Sequence, residues 1–171
     1  RSSVLSLVTG HEDPTKAESA IDWGALAGGG GTLVFYMGVG NLAGICQRLM
    51  QGGRAPGTPV AVISQGTLPE QRVIEGTLES IAGHAAAAGL QPPAVTVVGD
   101  VVSLRHELRW FEKAPLFGRT VAVTRSRPQA SDLAVQLARL GARVLLFPTI
   151  AIEPARSEER RVGKECRLTC R

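Results

Sequence analysis

Aromatic side chains are scarce in this 171-residue chain: four Phe, two Trp and one Tyr make up 4% of it. A nucleic-acid surface built on base stacking wants such rings beside clustered cations, so the scarcity argues against that class of partner. Cysteine is sparse too. Cys46, Cys166 and Cys170 are an odd number, and two of them fall in the last six residues, which suits a reducing cytoplasm better than a secreted disulfide scaffold. His11, His84 and His106 form neither His-x-x-x-His nor His-Glu-x-x-His, so the familiar zinc hydrolase layouts are excluded. Cys166-x-x-x-Cys170 offers two ligands with no histidine nearby, and no metal site is expected. No apolar run approaches the length of a bilayer-spanning helix, and Val4 to Val8 is too short for a signal peptide. The glycines lack the Gly-X-Y period of collagen.

What is there describes a globular chain, 44% hydrophobic against 20% charged, long enough for one sizeable core or two small ones. The net charge of +4 is unevenly spread. Residues 1–117 carry 8 Lys or Arg against 10 Asp or Glu, residues 118–154 carry 5 against 2, and residues 155–171 carry 6 against 3. A nucleic-acid footprint would place the cations over the folded body. Here the body is slightly acidic, so no nucleic-acid partner is expected.

Strand-like and helix-like stretches alternate along the body. Residues 3–11 and 31–38 read as strands, the first as a buried one ending at Thr9-Gly10. Gly38-Val39-Gly40-Asn41 then opens a helix through Gln51, whose Leu42, Ile45, Cys46, Leu49 and Met50 share one face; Asn41 is the expected N-cap and Gly52-Gly53 the stop. Residues 57–64 supply the next strand, giving a βαβ arrangement. Residues 71–77 are expected to return beside it, making the sheet mixed. A helix over 78–88, a strand over 94–102 and a short amphipathic helix over 105–114 follow. After a linker comes a second unit, with a strand at 119–125, a helix at 128–140 and a strand at 142–148. One such unit cannot bury both faces of its sheet, so a larger domain is expected around it.

Several residues are candidates for chemistry, each with an ordinary alternative. His11 follows a strand end, where ligand-contacting residues of α/β sheets collect, or it simply occupies a turn. His84 and His106 read as solvated helix residues. The loop "GGGGT" at 28–32 precedes a strand rather than following one, so it is no phosphate cradle. Two strand ends converge: Tyr36-Met37-Gly38, and Ser64-Gln65-Gly66-Thr67. Such ends suit a flat heterocycle held between apolar side chains and read along its edge by main-chain amides; ordinary turns with Met37 as core filler are the alternative.

At these residues the sequence resembles a known family. "SLVTGH" at 6–11, "GTLVFYMGVGNL" at 31–42, "TPVAVISQGTLPEQRVIEGTL" at 58–78 and "PAVTVVGDVVSLRHELRWF" at 93–111 resemble the C-terminal portion of the uroporphyrinogen III C-methyltransferases, within the tetrapyrrole methylase family. The resemblance implies the C-terminal mixed-sheet α/β domain of a tetrapyrrole methylase. It implies transfer of methyl groups from S-adenosyl-L-methionine to C2 and C7 of uroporphyrinogen III, giving precorrin-2 on the way to sirohaem and cobalamin. By the family pattern Met37 contacts the cofactor, the Gly66 backbone faces it, Ala61 lines the adenosine pocket, and Tyr36 and Gly38 flank that shell. The sulfonium methyl is already electrophilic, so the protein mainly aligns the reactants. No catalytic base is assigned. Arg72 is a candidate partner for substrate carboxylates, or a surface residue on a hairpin. Ser64-Gln65 departs from the Glu-Arg or Glu-Asn common in relatives, and the family's N-terminal loops are not in this sequence.

The stretch "GRTVAVTRSRPQASDLAVQLARLGARVLLFPTIAIEP" at 118–154 resembles the opening of the uroporphyrinogen III synthases, implying a fused parent. The expected division is therefore a methylase part at 1–114, a linker at 115–118, a synthase-like start at 119–154 and an aberrant or disordered tail at 155–171. The chain opens on Arg1 and is expected to lack its true beginning. Taken alone it is expected to be inactive, and the complete parent to be cytoplasmic and a homodimer.

Overall fold

Short β-branched runs punctuated by glycine set the strands. The computed structural model of the protein describes residues 3–10 and 21–150. Strands β1 (Leu5–Thr9), β2 (Thr32–Tyr36), β3 (Pro59–Ser64), β4 (Arg72–Thr77) and β5 (Ala94–Val98) form one sheet in the order β1-β2-β5-β3-β4. β1 runs parallel to β2, and every other neighbouring pair is antiparallel, so the sheet is mixed as expected. The expected βαβ unit is modified. β2 and β3 do run in the same direction across their helix, but β5 lies between them, antiparallel to both. Local periodicity specifies a strand without specifying which distant strand pairs with it.

Register sorts the side chains onto two faces. Val8, Phe35, Thr96, Val62 and Ile74 follow one another across the sheet on one face. That face is covered by α1 (Trp23–Gly28), α2 (Leu42–Gln51) and α3 (Ile81–Ala87), whose Ala27, Leu42, Ile45, Cys46, Leu49, Ile81 and Ala85 join it in one core. Phe35 and Leu49 are fully buried, each contributing about 1.5–3 kcal/mol of transfer free energy. The helix α1 was not foreshadowed in its glycine-rich surroundings. Asp22 starts it by accepting the Ala25 N–H at 2.9 Å, and Trp23 stacks on Phe35 with centroids 6.1 Å apart beneath the guanidinium of Arg48. Asn41 does precede α2, but its side chain makes no capping bond; a 3₁₀ turn over Val39–Asn41 leads into the helix instead.

Three further expectations change. β1 is an edge strand whose Leu5 and Leu7 are 62% and 64% exposed, because among the described residues nothing covers the β1 side of their face. β5 stops at Val98, where Gly99 takes φ 134° and turns the chain into a 3₁₀ segment at Asp100–Leu104. The helix expected at 105–114 lasts only from Arg105 to Leu108 as α4. Beyond it Trp110, Phe111 and Phe117 pack edge to face through a series of turns.

The second unit keeps its expected pattern: β6 (Thr120–Val123), α5 (Arg127–Arg139) and β7 (Arg143–Leu146), with β6 and β7 paired in parallel as a separate two-stranded sheet. His11 and the tail at 155–171 lie outside the described residues. Among the described residues no helix is long and apolar enough to cross a membrane.

Candidate functional site

The sheet's second face carries the candidate residues. Leu7, Val34, Val97, Ala61 and Glu75 are neighbours across it, followed one pleat further by Thr9, Tyr36, Val95, Ile63 and Val73. Tyr36 and Ile63 therefore flank Val95 at two strand spacings, about 10 Å. The carboxyl ends of the parallel strands β2 and β3 thus open at one edge of the sheet, on either side of the start of β5. In open α/β sheets ligands collect outside such ends.

Both ends hold the backbone in a left-handed conformation without glycine. Met37 follows β2 with φ 54°, and Gln65 and Thr67 bracket Gly66 after β3 with φ 52° and 65°. Such residues cost about 1–3 kcal/mol each and persist only where the surroundings over-determine them, a pattern that concentrates at ligand clamps. Glycine would have removed the cost. Met37 is 65% exposed and Tyr36 51%, which excludes Met37 as core filler.

The residues are distributed over two hollows. Tyr36 and Met37 line one of about 610 Å³ together with Val39, Gly40, Pro92, Pro93 and Ala94. Ala61 and Gly66 line another of about 390 Å³, formed where the Val101–Arg109 segment lies over Ile63, Val73 and Val97. Ala61 is its buried floor. The Pro92-Pro93 turn is tied to the end of β3: Gln65 N–H donates to the Pro93 carbonyl at 3.1 Å, and Ser64 Oγ donates to the Gln91 carbonyl at 3.0 Å. That is a local use for the unusual Ser64. Gly38 is buried and lines neither hollow. A Cβ at Gly38 would stand 2.8 Å from Ile45 Cδ1, and one at Gly10 would stand 2.5 Å from Gly38 Cα. Here two glycines let the ends of β1 and β2 approach, and the Gly10 N–H donates to the Tyr36 carbonyl at 2.7 Å.

Behind the Gly66 turn stands a polar relay that sequence reading missed. Gln71 Oε1 accepts the Thr67 N–H at 2.8 Å, and its Nε2 donates to Glu112 Oε1 at 2.9 Å. Arg105 Nη2 donates to both Glu112 oxygens at 2.9 Å, while its Nε lies 3.3 Å from Glu75. The "QR" and "LRHELRWFE" strings were visible in the sequence, but not their contact across 41 positions.

The other candidates fall elsewhere. Arg72 donates to the Ala88 carbonyl just after α3 at 3.1 Å, a tie between β4 and the helix layer. His84 Nδ1 shares a hydrogen bond with the Glu75 carbonyl at 3.2 Å, and His106 Nδ1 with the Ser103 carbonyl at 2.8 Å. The "GGGGT" loop lies at the opposite end of the sheet, where Arg54 donates to the carbonyls of Leu26, Gly29 and Gly31.

Known proteins are similar to this chain. Residues 1–82 match the family model of the Tetrapyrrole (Corrin/Porphyrin) Methylases. An S-adenosyl-L-methionine-dependent uroporphyrinogen III methyltransferase of Methanosarcina barkeri is 53% identical over 106 residues, 62% of this chain and 41% of that protein. A uroporphyrinogen-III C-methyltransferase of Bacillus subtilis is 39% identical over 146 residues, 85% of this chain and 30% of that protein. The chain thus spans less than half the length of these relatives. Among solved structures, cobalt precorrin-4 methyltransferase, a cobalamin biosynthetic enzyme, aligns with a TM-score of 0.52 at 17% identity, over 58% of this chain and 41% of its own. That likeness shows a fold shared with that enzyme.

Proposed function

We propose that this chain is the C-terminal portion of an S-adenosyl-L-methionine-dependent uroporphyrinogen III C-methyltransferase. Its substrate is then uroporphyrinogen III, methylated at C2 and C7 to precorrin-2, in a cytoplasmic route to sirohaem or cobalamin. The observation that carries this reading is the pair of left-handed ends, Met37 after β2 and Gln65-Gly66-Thr67 after β3, opening at one edge of the sheet. The identity of 53% to the Methanosarcina protein supports it independently.

In this reading the cofactor lies along that edge. The exposed, unbranched thioether of Met37 packs against it, the Gly66 main chain reads its edge, and Ala61 floors the hollow that Gly66 shares. Tyr36 borders the Met37 hollow, and Gly38 sets the strand approach that fixes Met37. The bound cofactor supplies an electrophilic methyl group. The chain's own residues bind and orient, and proximity of this kind carries much of the rate in a transfer between two held reactants. No side chain at the edge is assigned a proton.

Residues 119–154 are read as the start of a uroporphyrinogen III synthase fused behind the methylase. An alignment of 146 residues with the Bacillus protein necessarily takes in residues 26–146 of this chain, so it crosses from the first sheet into the second. That supports the second unit as a natural continuation of such methyltransferases. A homodimer of the complete parent belongs to the same reading.

The test is turnover. Residues 1–171, given S-adenosyl-L-methionine and uroporphyrinogen III, are expected to yield no dimethylated product, while a parent carrying the complete methylase yields precorrin-2. A complete parent that binds the cofactor but leaves uroporphyrinogen III unmethylated overturns the substrate; one that binds no cofactor overturns the class.

A further inference from the structure

From the contacts behind the Gly66 turn, we infer that Gln71 and Glu112 are positioning residues for the cofactor edge, holding the turn at its Thr67 amide through a relay anchored on Arg105. The inference rests on the cofactor reading above and adds residues to it. Gln65 and Thr67 both sit at positive φ, so the turn does not hold its shape by intrinsic preference. Three main-chain bonds act within it or at its base, from Gln65 N–H to Pro93, Leu68 N–H to Gln65 and Gln71 N–H to Leu68. None of these engages the amide of Gly66 or Thr67. The Thr67 amide is held by the Gln71 side chain alone, at 2.8 Å.

That side chain is itself fixed. A primary amide that accepts with Oε1 must present its Nε2 to an acceptor, and Glu112 provides one at 2.9 Å. Glu112 is turned by the Arg105 contacts to both its oxygens, and the Arg105 and Glu112 side chains are 20% and 21% exposed, a setting in which charge-assisted bonds are strong. Arg105 is steadied by Glu75 at 3.3 Å. The chain of bonds therefore runs from the rigid β4 strand, through the start of α4 and the segment after it, to one amide beside Gly66. Thr67, Gln71, Arg105 and Glu112 also line the hollow that Gly66 and Ala61 share.

A role exchange separates positioning from mere stability. Gln71→Glu sets a second carboxylate against Glu112; Gln71→Glu combined with Glu112→Gln restores one amide facing one carboxylate with their roles exchanged. Two readouts are needed: amide hydrogen exchange at Thr67, and S-adenosylhomocysteine affinity by calorimetry with KM and kcat, all in the complete methylase. Gln71→Glu is expected to speed Thr67 exchange and weaken S-adenosylhomocysteine roughly tenfold, raising the cofactor KM more than it lowers kcat. The paired substitution is expected to recover part of both, because glutamine at 112 keeps one acceptor oxygen for Arg105 where Glu112 has two. Unchanged affinity in Gln71→Glu, or a loss that the paired substitution does not recover, overturns the positioning role and leaves the cofactor reading intact. Failure of the unsubstituted methylase to bind S-adenosylhomocysteine overturns both.

Discussion

The two sheets of this molecule are built from the same kind of sequence, and among the described residues they bury their apolar side chains to different degrees. The five-stranded sheet has one face closed by three helices, with Phe35, Leu49, Val60, Val62 and Ile81 wholly out of water. Among the described residues the two-stranded sheet has one helix, and only Val123, Ser126, Ala130, Gly141 and Ala142 are buried in this unit, while Leu133, Val135, Leu140, Leu145, Leu146 and Phe147 stay exposed. Strand propensity and helical spacing are equally good in both. What differs is the number of neighbours available to receive the apolar side chains, and it is burial rather than propensity that supplies most of the stability.

The sharpest way to break this comparison is a pair of truncations. Leu49→Ala empties a site that is fully buried and is expected to cost about 2–5 kcal/mol. Leu145→Ala, at a position 46% exposed, is expected to cost under about 1 kcal/mol. Denaturant unfolding of both variants measures the contrast, and equal losses would mean that the second unit has a core after all.

A second difference is chemical. Burial in α2 pushes the Cys46 thiol up to about 11 from 9.0, because the core favours its neutral form. A folded pKa above the unfolded one means that this contribution is fully present below pH 9 and is lost as pH rises through 11. Stability measured between these limits is expected to fall, by an amount of order 2 kcal/mol, and Cys46→Ala is expected to flatten that part of the profile. A profile as steep in Cys46→Ala as in the parent would assign the slope to other groups.

The smallest effect lies between the two sheets. Arg143 Nε, at the start of β7, is 3.3 Å from Glu70 in the turn before β4, with side chains 58% and 45% exposed. Solvent and salt screen such a pair. A double-mutant cycle on Glu70→Gln and Arg143→Gln is expected to give a coupling of at most about 0.5 kcal/mol. A coupling well above that would mean that the two sheets are held together more tightly than their charged rims suggest.

The unequal burial also bears on what could be read in advance. Apolar spacing was enough to place α2, the β3–β4 return and the β6–α5–β7 series, because each is decided within about twenty residues. The insertion of β5 between β2 and β3 was not legible, since Val97 and Val98 are as ready to pair with one strand as with another. Leu5 and Leu7 read as core because their alternation is that of a half-buried strand, and exposure depends on what else lies beside them. At the candidate site Tyr36, Met37 and Gly66 stood out by composition and resemblance. Gln65 and Thr67 were placed at the second strand end, but nothing in Gln or Thr announces their left-handed backbone, and the Gln71–Glu112 contact joins distant segments. Residues 23–28 were missed because their glycine and alanine content resembles a loop unless Asp22 is recognised as a cap.

The placement of the two tryptophans gives the molecule built-in reporters. Trp23 is stacked against Phe35 under Arg48, inside the helix-covered layer, whereas Trp110 is 73% exposed on the turns that lead toward the second sheet. Their emission should therefore separate under a water-soluble collisional quencher, which reaches Trp110 more readily than the half-buried Trp23. With Trp110→Phe the remaining signal follows only the melting of the five-stranded core. With Trp23→Phe it follows the surface that joins one sheet to the other.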